Sequence, residues 1–211
     1  FVGFLMDGIL LLEKQKETNH YQIQSLPINS GVFCLKKDRF QDVVWIGTDG
    51  QGVYLYSNPL YSIKSMVLSN YTEKIERPLR AIYLDDVCTF WVGTKGNGIL
   101  KIYDYEFDKN ISDCRAEVLT TSNSALSSNA VYCFAKSHRN LLWIGDEEGL
   151  TYYSYREKRI KSIPIRIGNE DFKYIHDIYE TADSELWLAS VGMGVVKARI
   201  AGTPDNPVIV D

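Results

Sequence analysis

Apolar and polar positions alternate with period two along most of the chain, in short runs such as Tyr54-Leu55-Tyr56 and Ile99-Leu100-Lys101-Ile102. Turns rich in glycine and polar residues separate these runs. That pattern predicts half-buried strands. Apolar residues do not recur at the three-to-four spacing of an amphipathic helix, so the expectation is an all-β fold.

One phrase returns five times. It stands as Phe1-Val2-Gly3 followed by Asp7-Gly8-Ile9-Leu10, and as Trp45-Ile46-Gly47-Thr48-Asp49-Gly50-Gln51-Gly52-Val53. It returns as Trp91-Val92-Gly93-Thr94-Lys95-Gly96-Asn97-Gly98-Ile99 and as Trp143-Ile144-Gly145-Asp146-Glu147-Glu148-Gly149-Leu150. The last copy is Trp187-Leu188-Ala189-Ser190-Val191-Gly192-Met193-Gly194-Val195. The leading aromatics fall at 1, 45, 91, 143 and 187, and all four tryptophans and twelve of the fifteen glycines lie inside the phrases. The repeat therefore accounts for most of the unusual composition.

Each phrase reads as a β-hairpin: a strand carrying the aromatic, a turn with glycines free to take positive φ, and an alternating second strand. A β-rich run precedes each tryptophan, at 32–35, 81–84, 131–134 and 175–179. Another follows each of the first four hairpins, at 21–26, 61–68, 116–119 and 160–165, and residues 208–210 form the last. Four antiparallel strands per unit of about 45 residues is the arithmetic of a β-propeller blade. The predicted blades are residues 1–30, which lack an innermost strand, then 31–79, 80–128, 129–172 and 173–211. About five blades read as part of a larger ring, with a small five-bladed ring closed by joining its ends as the alternative. Trp45, Trp91, Trp143 and Trp187 are assigned to packing between blades. Gly47, Gly93, Gly145, Gly52, Gly98, Gly149 and Gly194 are assigned to the repeat's structure.

Composition narrows the function. Aromatic residues make up 12% and apolar residues 45% of the 211, which marks an ordered globular chain. A net charge of −4 without long blocks of either sign argues against nucleic-acid binding and against membrane contact by this segment. No apolar run approaches the roughly 18–20 residues of a membrane-spanning helix. The chain opens on Phe1, which reads as a processed chain or a piece of a longer one. Four scattered cysteines and three scattered histidines predict free, buried thiols, no metal site and no cofactor.

The residues also carry a family likeness. Asn123-Ser124-Ala125-Leu126-Ser127-Ser128-Asn129-Ala130-Val131-Tyr132, leading into Leu142-Trp143-Ile144-Gly145, resembles the two-component regulator propeller repeat. So do Trp-Ile-Gly-Thr at 45–48 and Trp-Val-Gly-Thr at 91–94 with their double-glycine turns. Departures are Ala189 in place of glycine, the shortened turn Glu147-Glu148-Gly149, and an acidic insertion at 104–115. The resemblance implies the periplasmic sensor region of a hybrid two-component system, whose propellers are seven-bladed, so that the five blades here would be part of such a ring. Such a region recognises oligosaccharides, works as a homodimer beside the rest of its ectodomain, and signals to a histidine kinase elsewhere in the protein. It implies that this segment is not an enzyme.

Glycine-containing turns followed by strand formers exclude a dinucleotide loop, which needs a helix N-terminus at the phosphate. The acidic pairs Asp85-Asp86, Glu147-Glu148 and Glu170-Asp171 read as solvated turn charges, since neighbours on a strand point to opposite faces. A propeller binds near its axis, through loops leading into the innermost strands and through the hairpin turns. The candidate ligand-binding residues are Asn29, Arg77, Arg80, Asn129, Lys173 and Tyr174 from the first set, and Asp49, Gln51, Lys95, Asn97 and Asp146 from the second. Their mixed polar chemistry suits a polyhydroxylated ligand. Two rivals remain. A protein-interaction scaffold would show a contiguous exposed apolar patch. A propeller lyase would converge an acid or base on His138, His176 or Tyr174.

Overall fold

A computed structural model describes residues 1–6, 8–15, 20–39, 42–57, 62–66, 77–105 and 113–210. The outer-strand residues 61, 67 and 68 and most of the acidic insertion lie outside them. The first sheet holds β1 (Val2–Gly3), β2 (Ile9–Lys14) and β3 (Tyr21–Ser25). The second holds β4 (Val32–Lys37), β5 (Val43–Thr48), β6 (Val53–Ser57) and β7 (Ser62–Met66). The third holds β8 (Leu79–Leu84), β9 (Phe90–Thr94), β10 (Ile99–Ile102) and β11 (Ala116–Leu119). The fourth holds β12 (Val131–Lys136), β13 (Leu141–Asp146), β14 (Leu150–Ser154) and β15 (Arg159–Ile163). A hairpin of β16 (Arg166–Ile167) and β17 (Glu170–Asp171) then leads to the fifth sheet. That sheet is built from β18 (Ile175–Glu180), β19 (Glu185–Ser190), β20 (Gly194–Thr203) and β21 (Asn206–Val210). Every sheet is antiparallel in chain order, and the first strands β4, β8, β12 and β18 touch one another in succession. The fold is an all-β propeller of four-stranded blades, seen as an arc. The expected boundary between residues 79 and 80 falls inside β8. The short hairpin β16–β17 had no signal in the repeat.

The core is divided into four layers, one between each pair of neighbouring sheets. A sheet with two apolar faces cannot stand alone in water, so each layer exists only because the next sheet closes it. Trp45, Trp91 and Trp143 fill three of these layers and are at most 1% exposed. Trp45 meets Phe90 and Tyr105 of the following sheet, with ring centroids 4.6 and 5.2 Å away. Trp91 meets Tyr153 at 4.8 Å. Each indole N–H is also satisfied: Trp45 donates to Asp38 (2.9 Å), Trp91 to Asp85 (3.0 Å) and Trp143 to Glu180 (2.5 Å). In the fourth sheet, Ser137 occupies the position of Asp38 and Asp85, and Glu180 of the fifth sheet supplies the missing carboxylate.

Two residues beyond the tryptophan the sheets come together. A Cβ on Gly93 would lie 2.9 Å from Val131 Cγ1, and one on Gly145 would lie 2.6 Å from the Ile175 carbonyl oxygen. The Trp-x-Gly spacing thus holds neighbouring sheets apart at one level and lets them touch at the next. The fifth sheet differs. Ala189 stands where glycine is required elsewhere, and Trp187 is 39% exposed, with Tyr179, Val195, Val208 and Val210 also exposed. The cross-strand pairs Tyr179–Trp187 and Trp187–Lys197 put those side chains on one face. Among the described residues no sheet covers that face, so the demand for glycine lapses. The expectation of packing holds for three tryptophans and is corrected for Trp187.

Asp85 also departs from its reading as a solvated charge. It is buried, and its carboxylate accepts from the Trp91 indole and the backbone N–H groups of Val87 and Thr89. Asp86 beside it is exposed and pairs with Arg39 and Lys136, which ties three sheets together. Its carboxyl is held below the usual range, first by the Lys136 hydrogen bond.

Removing a buried tryptophan should therefore cost far more than removing the exposed one. Trp91→Ala is expected to lose about 3–5 kcal/mol in urea denaturation, and Trp187→Ala less than about 1 kcal/mol. Trp91→Phe, which keeps the ring but strips Asp85 of a donor, should fall between at about 1–3 kcal/mol. Equal losses for Trp91→Ala and Trp187→Ala would refute the open fifth face.

Candidate functional site

The first strand of every complete sheet carries the same irregularity. Register with the second strand slips between Val32 and Cys34, Leu79 and Ala81, Val131 and Cys133, and Ile175 and Asp177. One residue in each strand is left out of the ladder: Phe33, Arg80, Tyr132 and His176. A β-bulge re-aims its extra side chain, and the flanking Val32, Leu79, Val131 and Ile175 remain anchored in the core. The four freed side chains line one cleft of about 260 Å³, together with Lys36, Phe134 and neighbouring residues.

Inside it the groups associate in pairs. The Arg80 guanidinium lies 3.7 Å over the Phe33 ring. Tyr132 and His176 stack with centroids 4.2 Å apart and planes inclined by 22°. Burial, aided by the Arg80 charge, holds the His176 imidazole below its ordinary pKa, which favours its uncharged form. Burial also raises the Tyr132 phenol. Cys34 and Cys133 also line the cleft as free thiols, Cys34 pushed up to about 12 by burial and Cys133 pushed up further for the same reason.

The predicted loop residues gather at the same end of the sheets. The hairpin-turn N–H groups of Asp49, Lys95, Glu147 and Val191 donate to the carbonyls of Gly31, Pro78, Ala130 and Tyr174, which stand just before the first strands. Successive units are laced together there as well, since Gly96 and Gly98 donate to Asn129 O and Tyr174 donates to Glu147 O. Asn29, Arg77, Asp49, Gln51, Lys95 and Tyr174 are exposed on this rim. Lys173 is half-buried and engaged by Glu148 at 2.5 Å. Asn129 is partly committed, its Oδ1 accepting from the Thr121 N–H. Asn97 is half-buried, and its Oδ1 is a buried acceptor with no partner among the described residues.

Of the predicted residues only Arg80 lines the cleft. Phe33 and Tyr132 were not anticipated, and His176 was considered only for a lyase. One signal did point to them: aligned across the repeats, an apolar column of Val, Leu, Val and Ile is followed by a column reading Phe, Arg, Tyr and His. A column that breaks the repeat's chemistry directly after one that obeys it is serving something other than packing.

Asp146 requires a different reading. It is fully buried, accepting from Ser127 Oγ at 2.6 Å, from the N–H groups of Glu148 and Gly149 and from Thr151 Oγ1. It organises the shortened turn and does not face a ligand. His138 lies exposed beyond β12, after the strand's far end, and Tyr174 on the rim. Among the described residues no cluster of three or more His, Cys, Asp or Glu could hold a metal, and no helix is long and apolar enough to cross a membrane.

No protein-family model matches the chain, and no curated protein matches it either. Solved structures do. The extracellular domain described as belonging to the hybrid two-component system BT3049 of B. thetaiotaomicron superposes with a TM-score of 0.65 at 19% identity, covering 99% of this chain and 28% of that one. An inactive variant of virginiamycin B lyase from Staphylococcus aureus, with quinupristin, gives 0.64 at 15% identity, covering 93% and 61%. The β-propeller domain of Cps50 (Swd1) from Myceliophteria thermophila gives 0.62 at 12%, covering 97% and 65%. The chain spans less than two thirds of each of these. At such identities the likeness is one of fold, and it agrees with the propeller family that the sequence motifs resemble.

Burial drives the Asp146 carboxyl from 3.8 up to about 6, against the pull of its hydrogen bonds. Because the folded value lies above the unfolded one, its contribution to stability is complete below about pH 4 and is lost as pH rises through about 6, on the order of 3 kcal/mol. Asp146→Asn should remove that dependence. The melting temperature of the variant relative to the parent should climb between pH 4 and pH 7; a constant difference would contradict the assignment.

Proposed function

We propose that the chain is part of the extracytoplasmic ligand-sensing propeller of a hybrid two-component system and recognises an oligosaccharide in the cleft formed by the four bulged residues. Binding would be passed to a histidine kinase elsewhere in the protein. The observation that carries this reading is the cleft itself: four consecutive blades each displace one residue from the ladder, and the four converge on one cavity. Stacked rings beside directed polar groups suit a sugar, whose faces are apolar and whose edges are hydroxylated. The fold shared with an extracellular sensor domain and the resemblance in the repeat motifs support the signalling context. A homodimer and the remainder of the same ectodomain are the partners this reading implies. Ligand would bias the kinase only by binding one arrangement of the receptor more tightly than the other.

A propeller lyase is the second reading, favoured by His176 and Tyr132 in the cleft and by the fold shared with virginiamycin B lyase. Among the described residues the cleft lining contains no Asp or Glu to complete an acid–base pair. An interaction scaffold draws on the exposed Tyr179, Trp187 and Val195, but these are counterparts of residues that pack between the other sheets.

A thermal-shift screen of plant, host and microbial oligosaccharides separates the readings. A ligand at about a hundred times its dissociation constant stabilises the fold by roughly 2.7 kcal/mol, a rise of roughly 5–10 °C in a chain of this size. A hit that stays chemically intact is the expected result. A flat panel over a cooperative melt contradicts the oligosaccharide reading, and a hit that is slowly cleaved favours the lyase.

A further inference from the structure

The charge inside the cleft is one-sided. Its lining brings Lys36 and Arg80 together beside an uncharged His176 and, among the described residues, includes neither Asp nor Glu, in a chain that carries four more acidic than basic groups. Arg80 is the less satisfied of the two. Its guanidinium is pressed on Phe33, and its Nε is shut from solvent with no hydrogen-bond partner among the described residues. Several other exposed or half-exposed cations find carboxylates: Arg39 and Lys136 share Asp86, Lys173 has Glu148, Arg166 has Asp171 and Lys197 has Glu185. No carboxylate among the described residues pairs with Arg80.

A half-buried guanidinium with an orphaned donor is costly unless an acceptor arrives, and a neutral hydroxyl would leave its charge uncompensated. An oxyanion with two neighbouring acceptor oxygens answers both needs, because the guanidinium fork matches them with two parallel hydrogen bonds. Phe33 restricts the guanidinium plane, so less freedom is lost on binding. Beside it, the stacked Tyr132–His176 pair offers a flat aromatic surface to the rest of the ligand.

We propose that the cleft selects an acidic sugar, its carboxylate or sulfate group received by Arg80 and its ring laid against Tyr132 and His176. This rests on the oligosaccharide-sensing reading above and narrows it to one ligand chemistry. Lys36, on an adjacent wall, adds a second positive charge to the same anion's surroundings.

The test is calorimetric titration of the whole chain with three series: oligogalacturonides, which carry carboxylates alone; carrageenan oligosaccharides, which carry sulfates alone; and neutral galacto-oligosaccharides. One acidic series should bind, more weakly as salt is raised, and the neutral series should not. Arg80→Gln should weaken that binding about ten- to hundredfold. Arg80→Lys should retain part of it, and Arg166→Gln, on the outer hairpin, should change nothing. The melting temperatures of the unliganded variants identify any that fail to fold; Arg80→Lys, which keeps the charge, then carries the comparison. Binding of the neutral series with Arg80→Gln unaffected overturns the acidic-sugar inference and leaves the sensing reading standing. Equal binding of an acidic series by parent and Arg80→Gln also overturns it. Failure of all three series to bind overturns both.

Discussion

The structure depends on an indole that must be buried between two sheets and still find an acceptor for its N–H. An apolar ring alone would fill the layer, but the N–H would then be stranded in a low-dielectric interior at a cost of about 1–3 kcal/mol. Asp38 and Asp85 answer from the turn that precedes the tryptophan's own strand, and Glu180 answers from the next sheet. In the layer between the fourth and fifth sheets, therefore, the hydrogen bond itself is a contact between blades. The glycine two residues on completes the constraint, since any side chain there would collide with the neighbouring first strand. Together these residues set how far apart adjacent sheets sit, and sheets so spaced place their first strands side by side around a common interior.

That interior is where the functional residues come from. A regular first strand would send alternate side chains into the layers on either side, leaving nothing for the axis. The bulge near the start of each strand breaks the alternation for one residue while the core residues on both sides keep their places. The cost to packing is small, so Phe33, Arg80, Tyr132 and His176 can differ from blade to blade without disturbing the layers. The scaffold repeats and the site does not.

Much of this was legible in the sequence. The five phrases, the strand count and the glycine turns all follow from local periodicity, and the structure bears out the propeller. What was illegible depended on contacts between units. Asp85 and Asp86 are neighbours of like chemistry, yet one is buried beneath an indole and the other exposed; nothing in the pair itself announces which. Asp146 looks like a turn carboxylate until Ser127, nineteen residues away, closes over it. The bulges leave only a faint trace, a column of unlike residues beside an apolar one. Arg80 was found because it precedes a strand, and Tyr132 was missed because an aromatic in a strand reads as core. Trp187 was misread because its tryptophan stands in the same place in the phrase, and the one departure beside it, Ala189 for glycine, does not by itself say whether a sheet covers that face.

The most direct test of the account is a crystal structure of the chain with a bound oligosaccharide from the screen. The account predicts the sugar in the cleft between the four bulged residues, with one face on the Tyr132–His176 pair and a polar group within hydrogen-bond distance of the Arg80 guanidinium. A sugar held elsewhere, on the hairpin-turn rim or the open face beside Trp187, with the cleft left to solvent, would contradict it.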